Sequence, residues 1–222
     1  MRRKYGIAVL AVAGFTGLAA YYGGWATVTV ENLPEQLVVA APYNLTFSIR
    51  QHGEELLSDL SPYIQLKSGR QELVARAVET NRPGYYTATV EVPAEGDWSA
   101  TIQTSFGKSH LRLMPLAALP RGARLARAAT QAERGQRLFV AKGCVVCHQH
   151  AKTAAYGFYK VGPELTDKRF AAGYLREFLA DPSIKPPTTN ARMPQLNLSK
   201  SEIGALTAFI NSESSARSTA GN

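Results

Sequence analysis

Cysteine, histidine and methionine are scarce in this 222-residue chain, with two, four and three residues respectively. Both cysteines fall in one short stretch, at Cys144 and Cys147, so residues 26–115 contain none. That excludes a binuclear copper centre, or a blue-copper site with a thiolate, from the N-terminal part of the chain. The remaining candidates for a copper ligand there are His52, His110 and Met114. Their pattern reads better as surface histidines and a core methionine. Zinc takes four ligands, usually in two well-separated pairs. A second pair is missing, because His52 and His110 are the only histidines outside residues 141–150. The first 30 residues hold no acid, and the chain has no internal repeat.

Charge is unevenly distributed. Residues 31–120 carry 7 Lys+Arg against 10 Asp+Glu, whereas residues 121–222 carry 15 against 7. This asymmetry points to separate modules and to a basic C-terminal module facing an acidic protein partner, with no nucleic acid involved. At the N-terminus, Arg2, Arg3 and Lys4 precede an uncharged run from Tyr5 to Val30. About 20 apolar residues are enough to span a bilayer. The basic cluster stays cytoplasmic, so the rest of the chain is expected on the periplasmic or extracytoplasmic side. A cleaved signal peptide has the same polarity, and Gly17 to Ala20 supply small residues for cleavage. The run continues apolar through Tyr21, Tyr22 and Trp25 without a polar break, which favours a retained single-pass anchor over residues 1–25.

Residues 26–115 read as about seven short strands. "ATVTV", "NLTFSIR", "YIQLK", "QELVARAV", "GYYTATVEV", "DWSATIQT" and "SHLRLMPL" alternate with Gly-, Pro- and Asn-bearing turns. That pattern predicts an all-β sandwich. The piece "RPGYYTATVEVPAEGDWSATI" resembles immunoglobulin-like domains of the FixH/YtkA-like type. Residues 116–129, rich in Pro, Ala and Arg, read as a linker, with Arg121, Arg124 and Arg127 exposed.

From Thr130 the apolar period becomes helical. Helices are expected over "TQAERGQRLFVAKG", "DKRFAAGYLREFLADP" and "SKSEIGALTAFINSE", the last opened by a Ser199-x-x-Glu202 capping box. A proline-rich loop separates the last two, and residues 214–222 read as a disordered polar tail.

"GCVVCHQH" admits four readings: half a zinc site, a redox dithiol, a disulfide or a heme attachment site. A dithiol of the thioredoxin type expects a βαβ context, and the flanks here are helical. A Cys144–Cys147 disulfide explains neither His148 nor anything downstream. Cys-x-x-Cys-His is the spacing of c-type heme attachment, with two thiols for the vinyl groups and an imidazole for the iron. A six-coordinate iron needs a second ligand. Met193 lies 45 residues beyond His148 in an irregular loop, "RMPQL". His/Met ligation raises the potential and closes the sixth position, which suits electron transfer.

Residues 130–211, within a module taken to span 130–213, resemble a class I cytochrome c domain. The likeness rests on "ERGQRLFVAKGCVVCH", "VGPELT", "YLREFLADP" and "MPQLNLSKSEIGALTAFI". The resemblance implies an all-α class I cytochrome c fold with one covalently attached heme c. It implies thioethers at Cys144 and Cys147, axial ligands His148 and Met193, and a Pro163 carbonyl accepting from the second ring nitrogen of His148. It also implies that Gly135 and Phe139 cross the last helix near Leu206 and Phe209. His150 has no role in the family and reads as a solvated histidine. A module of about 85 residues has a marginal apolar core of its own, so folding is expected to depend on heme.

The expectation for the whole chain is a multidomain protein: transmembrane helix, immunoglobulin-like β-sandwich, then cytochrome c domain. Its function is expected to be single-electron transfer at the outer membrane face rather than enzymatic catalysis. The alternative is a permanent heme c subunit of a multi-subunit respiratory or photosynthetic oxidoreductase. Lys142, Lys152, Lys160, Lys168 and Arg169 are the basic residues expected to steer the partner, an acidic redox protein or a membrane oxidoreductase complex.

Overall fold

The computed structural model describes residues 24–153, 161–184 and 192–212. The expected anchor falls almost entirely on residues 1–23, and the expected tail on 214–222; both lie outside the described residues. Among the described residues no helix is long and apolar enough to cross a membrane.

The N-terminal part is a large β structure. Its strands are β1 (Ala26–Val30), β2 (Leu37–Val38), β3 (Tyr43–Gln51), β4 (Glu55–Leu56), β5 (Tyr63–Ser68), β6 (Gln71–Glu79), β7 (Tyr85–Val90), β8 (Gly96–Gln103), β9 (His110–Arg112) and β10 (Leu116–Leu119). The ladder runs β1-β3-β7-β6-β5-β8-β10-β2, with β4 on β3 and β9 on β8. Strand β6 serves both halves: Gln71–Arg76 pair with β5, and Ala77–Glu79 pair with β7. The two halves enclose one core, in which Phe47 and Tyr86 from one side and Ile64, Trp98 and Ile102 from the other are fully buried. Alternation drives this, because every second side chain of a strand points to the same face. Val28 and Val30 enter the core from β1, as does Trp98 from β8.

The short strands β2 and β4 escape a reading from periodicity, since two residues show no period. Strand β10 lies inside the segment expected to be linker. Leu116 pairs with Trp98 of β8, and Ala118 pairs with Leu37 of β2. The sheet therefore extends to Leu119, and the irregular connection is shorter than expected.

The C-terminal part is helical: α1 (Gln131–Ala141), a single turn α2 (Cys144–Cys147), α3 (Ala172–Ala180), a 3-10 turn (Pro182–Ile184) and α4 (Lys200–Ile210). Capping boxes open α1 and α4, the second as expected. Thr130 Oγ1 accepts from Glu133 N at 3.2 Å while Glu133 accepts from Thr130 N at 2.8 Å. Ser199 and Glu202 repeat the arrangement on α4. Helices α1 and α4 cross closely. A Cβ at Gly135 would stand 2.0 Å from the Ala205 carbonyl oxygen, so only glycine permits the crossing. Phe139 and Phe209 meet beside it, with ring centroids 5.4 Å apart. Helix α3 starts later than its sequence pattern suggests. The backbone of Phe170 is held by the Asn211 side chain, which both donates to its carbonyl (3.0 Å) and accepts from its N–H (2.9 Å). That contact from the end of α4 competes with another helical turn.

Candidate heme site

The site begins at the end of α1. Gly143 adopts a left-handed conformation (φ 77°), which stops α1 and turns the chain into α2. This single turn places Cys144 and Cys147 along one side of a cavity of about 750 Å³, and both cysteines are free. Burial pushes the Cys144 thiol up to about 12 and the Cys147 thiol up to about 11. Both are therefore neutral thiols in an apolar setting, poorly suited to serve as thiolate ligands. Among the described residues no three His, Cys, Asp or Glu side chains gather to hold a metal ion.

His148 follows immediately. Its Nδ1 lies 3.0 Å from the Pro163 carbonyl oxygen. A carbonyl only accepts, so Nδ1 must donate, and the lone pair is left on Nε2. Burial pushes the imidazole below its ordinary range, partly opposed by the bond to Pro163. The ring is thus kept neutral, as a metal ligand must be. Gly162 makes room for it: a Cβ there would lie 2.3 Å from His148 Cε1 and 2.5 Å from Nδ1. The Gly162 N–H also donates to the Cys147 carbonyl at 3.1 Å, tying this loop to α2.

Met193 is partly buried and lines the same cavity as His148 and both cysteines. Its loop is anchored by Gln195, which donates to the Ala180 carbonyl at the end of α3 (2.8 Å). The walls between are apolar, drawn from Phe139, Leu165, Phe178, Leu179, Leu206 and Ile210. Cofactor sites commonly have volumes of about 300–1,000 Å³ and mostly apolar walls with a few convergent polar groups. A heme fits this donor set: two thiols, a neutral imidazole whose second nitrogen is already bound, and a thioether, around an apolar space.

Three residues sit elsewhere than their sequence context suggests. Lys142, expected on the basic surface, is only 4% exposed and pairs with Glu202 at 2.9 Å. Burial pushes the Glu202 carboxyl up, but hydrogen bonds from Lys142 and the Ser199 N–H outweigh it and hold it below the usual range. His150, expected in solvent, is 3% exposed, with its ring 4.3 Å from that of Phe209 and its Nδ1 accepting from the Lys152 N–H at 3.2 Å. His52 stands on the β3–β4 turn, yet it lines the cavity together with Gly53, Thr27 and Thr29. Nothing in its local sequence signals this. Of the other two residues weighed for copper, His110 approaches the Lys108 carbonyl (3.0 Å), and Met114 packs on the β core.

The family model for cytochrome c matches residues 132–214. This C-terminal part of the chain is a cytochrome c domain, of a family of heme-containing electron-transfer proteins. Among curated proteins none matches the chain. Solved structures with some likeness include a Bacteroides vulgatus protein described as a glycoside hydrolase (12% identity, 40% of this chain and 17% of that one, TM-score 0.32). They also include domains 4 and 5 of the S-layer protein SbsC (16%, 42% and 51%, TM-score 0.32) and the ZirS C-terminal domain (11%, 54% and 87%, TM-score 0.33). The chain spans 17% of the first of these structures and 51% of the second. At such scores the likeness bears on neither fold nor function.

Proposed function

We propose that this protein is a membrane-anchored c-type cytochrome that passes single electrons through one heme c. The heme is attached at Cys144 and Cys147, ligated by His148 and Met193, and held on the outer face of the membrane. The observation that carries this reading is the meeting of all four side chains in one apolar cavity, with His148 already oriented by Pro163. Bound heme supplies the iron that cycles between ferrous and ferric states.

The chain's own residues do the rest. Pro163 holds the imidazole so that Nε2 points away from the carbonyl. The apolar walls would keep water from a bound heme, and the Met193 thioether would favour its ferrous state. No proton or substrate group has to move, so the chain acts as a carrier and not as an enzyme. Lys168 and Arg169 are exposed just before the cavity-lining Phe170 and suit an acidic redox protein or the acidic face of a membrane oxidoreductase complex. Lys142 takes no part in that surface. The N-terminal run would tether the domains to the membrane and raise their effective concentration near such a partner.

Met193→Ala in the matured protein should lower the potential, admit carbon monoxide to the ferrous iron and abolish a methionine–iron charge-transfer band. Met114→Ala should change none of these. A band that survives Met193→Ala overturns the ligand assignment. Release of the intact chain from membranes by a high-salt wash would overturn the anchor.

A further inference from the structure

Strand β1 reads Ala-Thr-Val-Thr-Val, and alternation sends Ala26, Val28 and Val30 into the β core. Thr27 and Thr29 must then face outward, where a lone sandwich would leave them wet. They are instead 6% and 3% exposed. The cytochrome domain covers them. Thr29 Oγ1 donates to the Lys142 carbonyl at 3.4 Å, and Lys142 Nζ reaches the Glu31 carbonyl at 3.4 Å. Gly143 is seated so tightly on β1 that a Cβ would stand 2.5 Å from the Val28 carbonyl oxygen. Val28 lies on the outer edge of β1, so a group that a sheet edge normally leaves to solvent is covered by the residue preceding Cys144. Farther along, Arg137 of α1 donates to the Pro34 carbonyl at 3.4 Å. Burial pushes its guanidinium down, opposed by the charge of Glu35.

A second strip meets the other side of the cavity. The β3–β4 turn carries His52 at φ 52° and Gly53 at φ 80°, and both line the cavity. The next residue, Glu54, accepts from the Arg192 N–H at 3.4 Å, one residue before Met193. The sandwich thus touches the segment leading into the heme-attachment turn and the segment leading into the methionine. The buried apolar cluster is continuous across both domains, from Val28 and Val30 to Phe139, Val145 and Leu206.

We infer that the β-sandwich is a wall of the heme cavity, closing it along β1 and the His52–Gly53 turn, with His52 as a positioning residue that limits water at the heme. This rests on the heme reading above. Water stabilises the more highly charged ferric form, so opening this wall lowers the potential, while it also admits small reductants to the heme and thereby speeds their reaction. Electron exchange with a protein partner is then directed to the side of the cavity away from the sandwich, where the lining residue Tyr174 is exposed.

The test uses the full-length, matured protein and three variants. Thr29→Arg wedges β1 away from Lys142. His52→Asn removes the ring but keeps a residue that tolerates the left-handed backbone. Val78→Ser, on the exposed face of β6, is the control. Heme staining of the denatured band reports covalent attachment and tests the heme reading by itself. With heme attached, Thr29→Arg should lower the ferrous-to-ferric ratio at fixed ambient potential by about threefold. It should also accelerate reduction by ascorbate and deprotect residues 137–143 in hydrogen exchange. His52→Asn should shift the ratio the same way by less, and Val78→Ser should match the wild type. If Thr29→Arg disturbs Trp98 fluorescence and does not fold, His52→Asn on its exposed turn decides the matter. Wild-type ratio and wild-type reduction rate in the folded variants, with heme attached, would overturn the wall.

Discussion

Gly162→Ala should disturb the proposed heme site from outside the proposed ligand set. The added methyl would stand 2.3 Å from His148 Cε1, and ordinary contact begins at 3.4 Å, so ring and loop must part by the difference. The Nδ1–Pro163 bond, 3.0 Å long and one residue away, lies across that movement. Overpacking of this kind costs about 1–3 kcal/mol. Losing the hydrogen bond adds about 0.5–1.5 kcal/mol. A combined loss of about 1.5–4.5 kcal/mol corresponds, at roughly 4–8 °C per kcal/mol for a domain of this size, to a fall in Tm of at least about 6 °C. The matched control is Gly173→Ala on α3, where an added Cβ meets nothing within 4 Å. There alanine, in the first turn of α3, should leave Tm unchanged or raise it slightly. Thermal unfolding followed by heme absorbance measures both. Equal Tm values for Gly162→Ala and the wild type, with an unchanged heme spectrum, would refute the claim that this glycine exists to admit the imidazole.

Lys142→Met removes the ammonium partner of half-buried Glu202, which keeps its bond from the Ser199 N–H, and should cost about 1–3 kcal/mol; chemical denaturation of the holoprotein reads it. Acid should destabilise the cytochrome domain in two windows. His150 has a folded pKa below its ordinary 6.5, through burial first and then the charges of Lys152 and Arg169. Its contribution is therefore whole above 6.5 and fades as pH falls toward the folded value. Glu202 also titrates below its ordinary 4.5, so its contribution is whole above 4.5 and is lost as pH falls through the folded pKa. A Tm–pH profile of the His150→Phe protein should lack the first window and keep the second. Ala171 begins α3 without a side-chain cap, so Ala171→Ser should add about 1 kcal/mol of stability in the same denaturation assay.

The candidate site could be proposed before any fold was known, because its signals are local. Cys144, Cys147 and His148 are spaced within one helical turn, and the Ser199–Glu202 and Thr130–Glu133 caps join residues three apart. The β1 alternation and the helical period after Thr130 are local in the same sense. Each depends on residues close in sequence, where backbone geometry alone decides which side chains meet.

What the tertiary structure decided involves residues far apart in the chain. Lys142 looked like one more surface cation until Glu202, 60 residues on, closed over it. His150 looked solvated until Phe139 and Phe209 enclosed its ring. Helix α3 lost its first turn to Asn211, 41 residues beyond Phe170. Thr27, Thr29 and His52 carry no mark of their position, yet the docking of two domains puts them in the cavity wall. Local sequence sets which face of a strand or helix a side chain occupies. Whether that face meets water, a heme or another domain is settled by contacts that form only once the whole chain has folded.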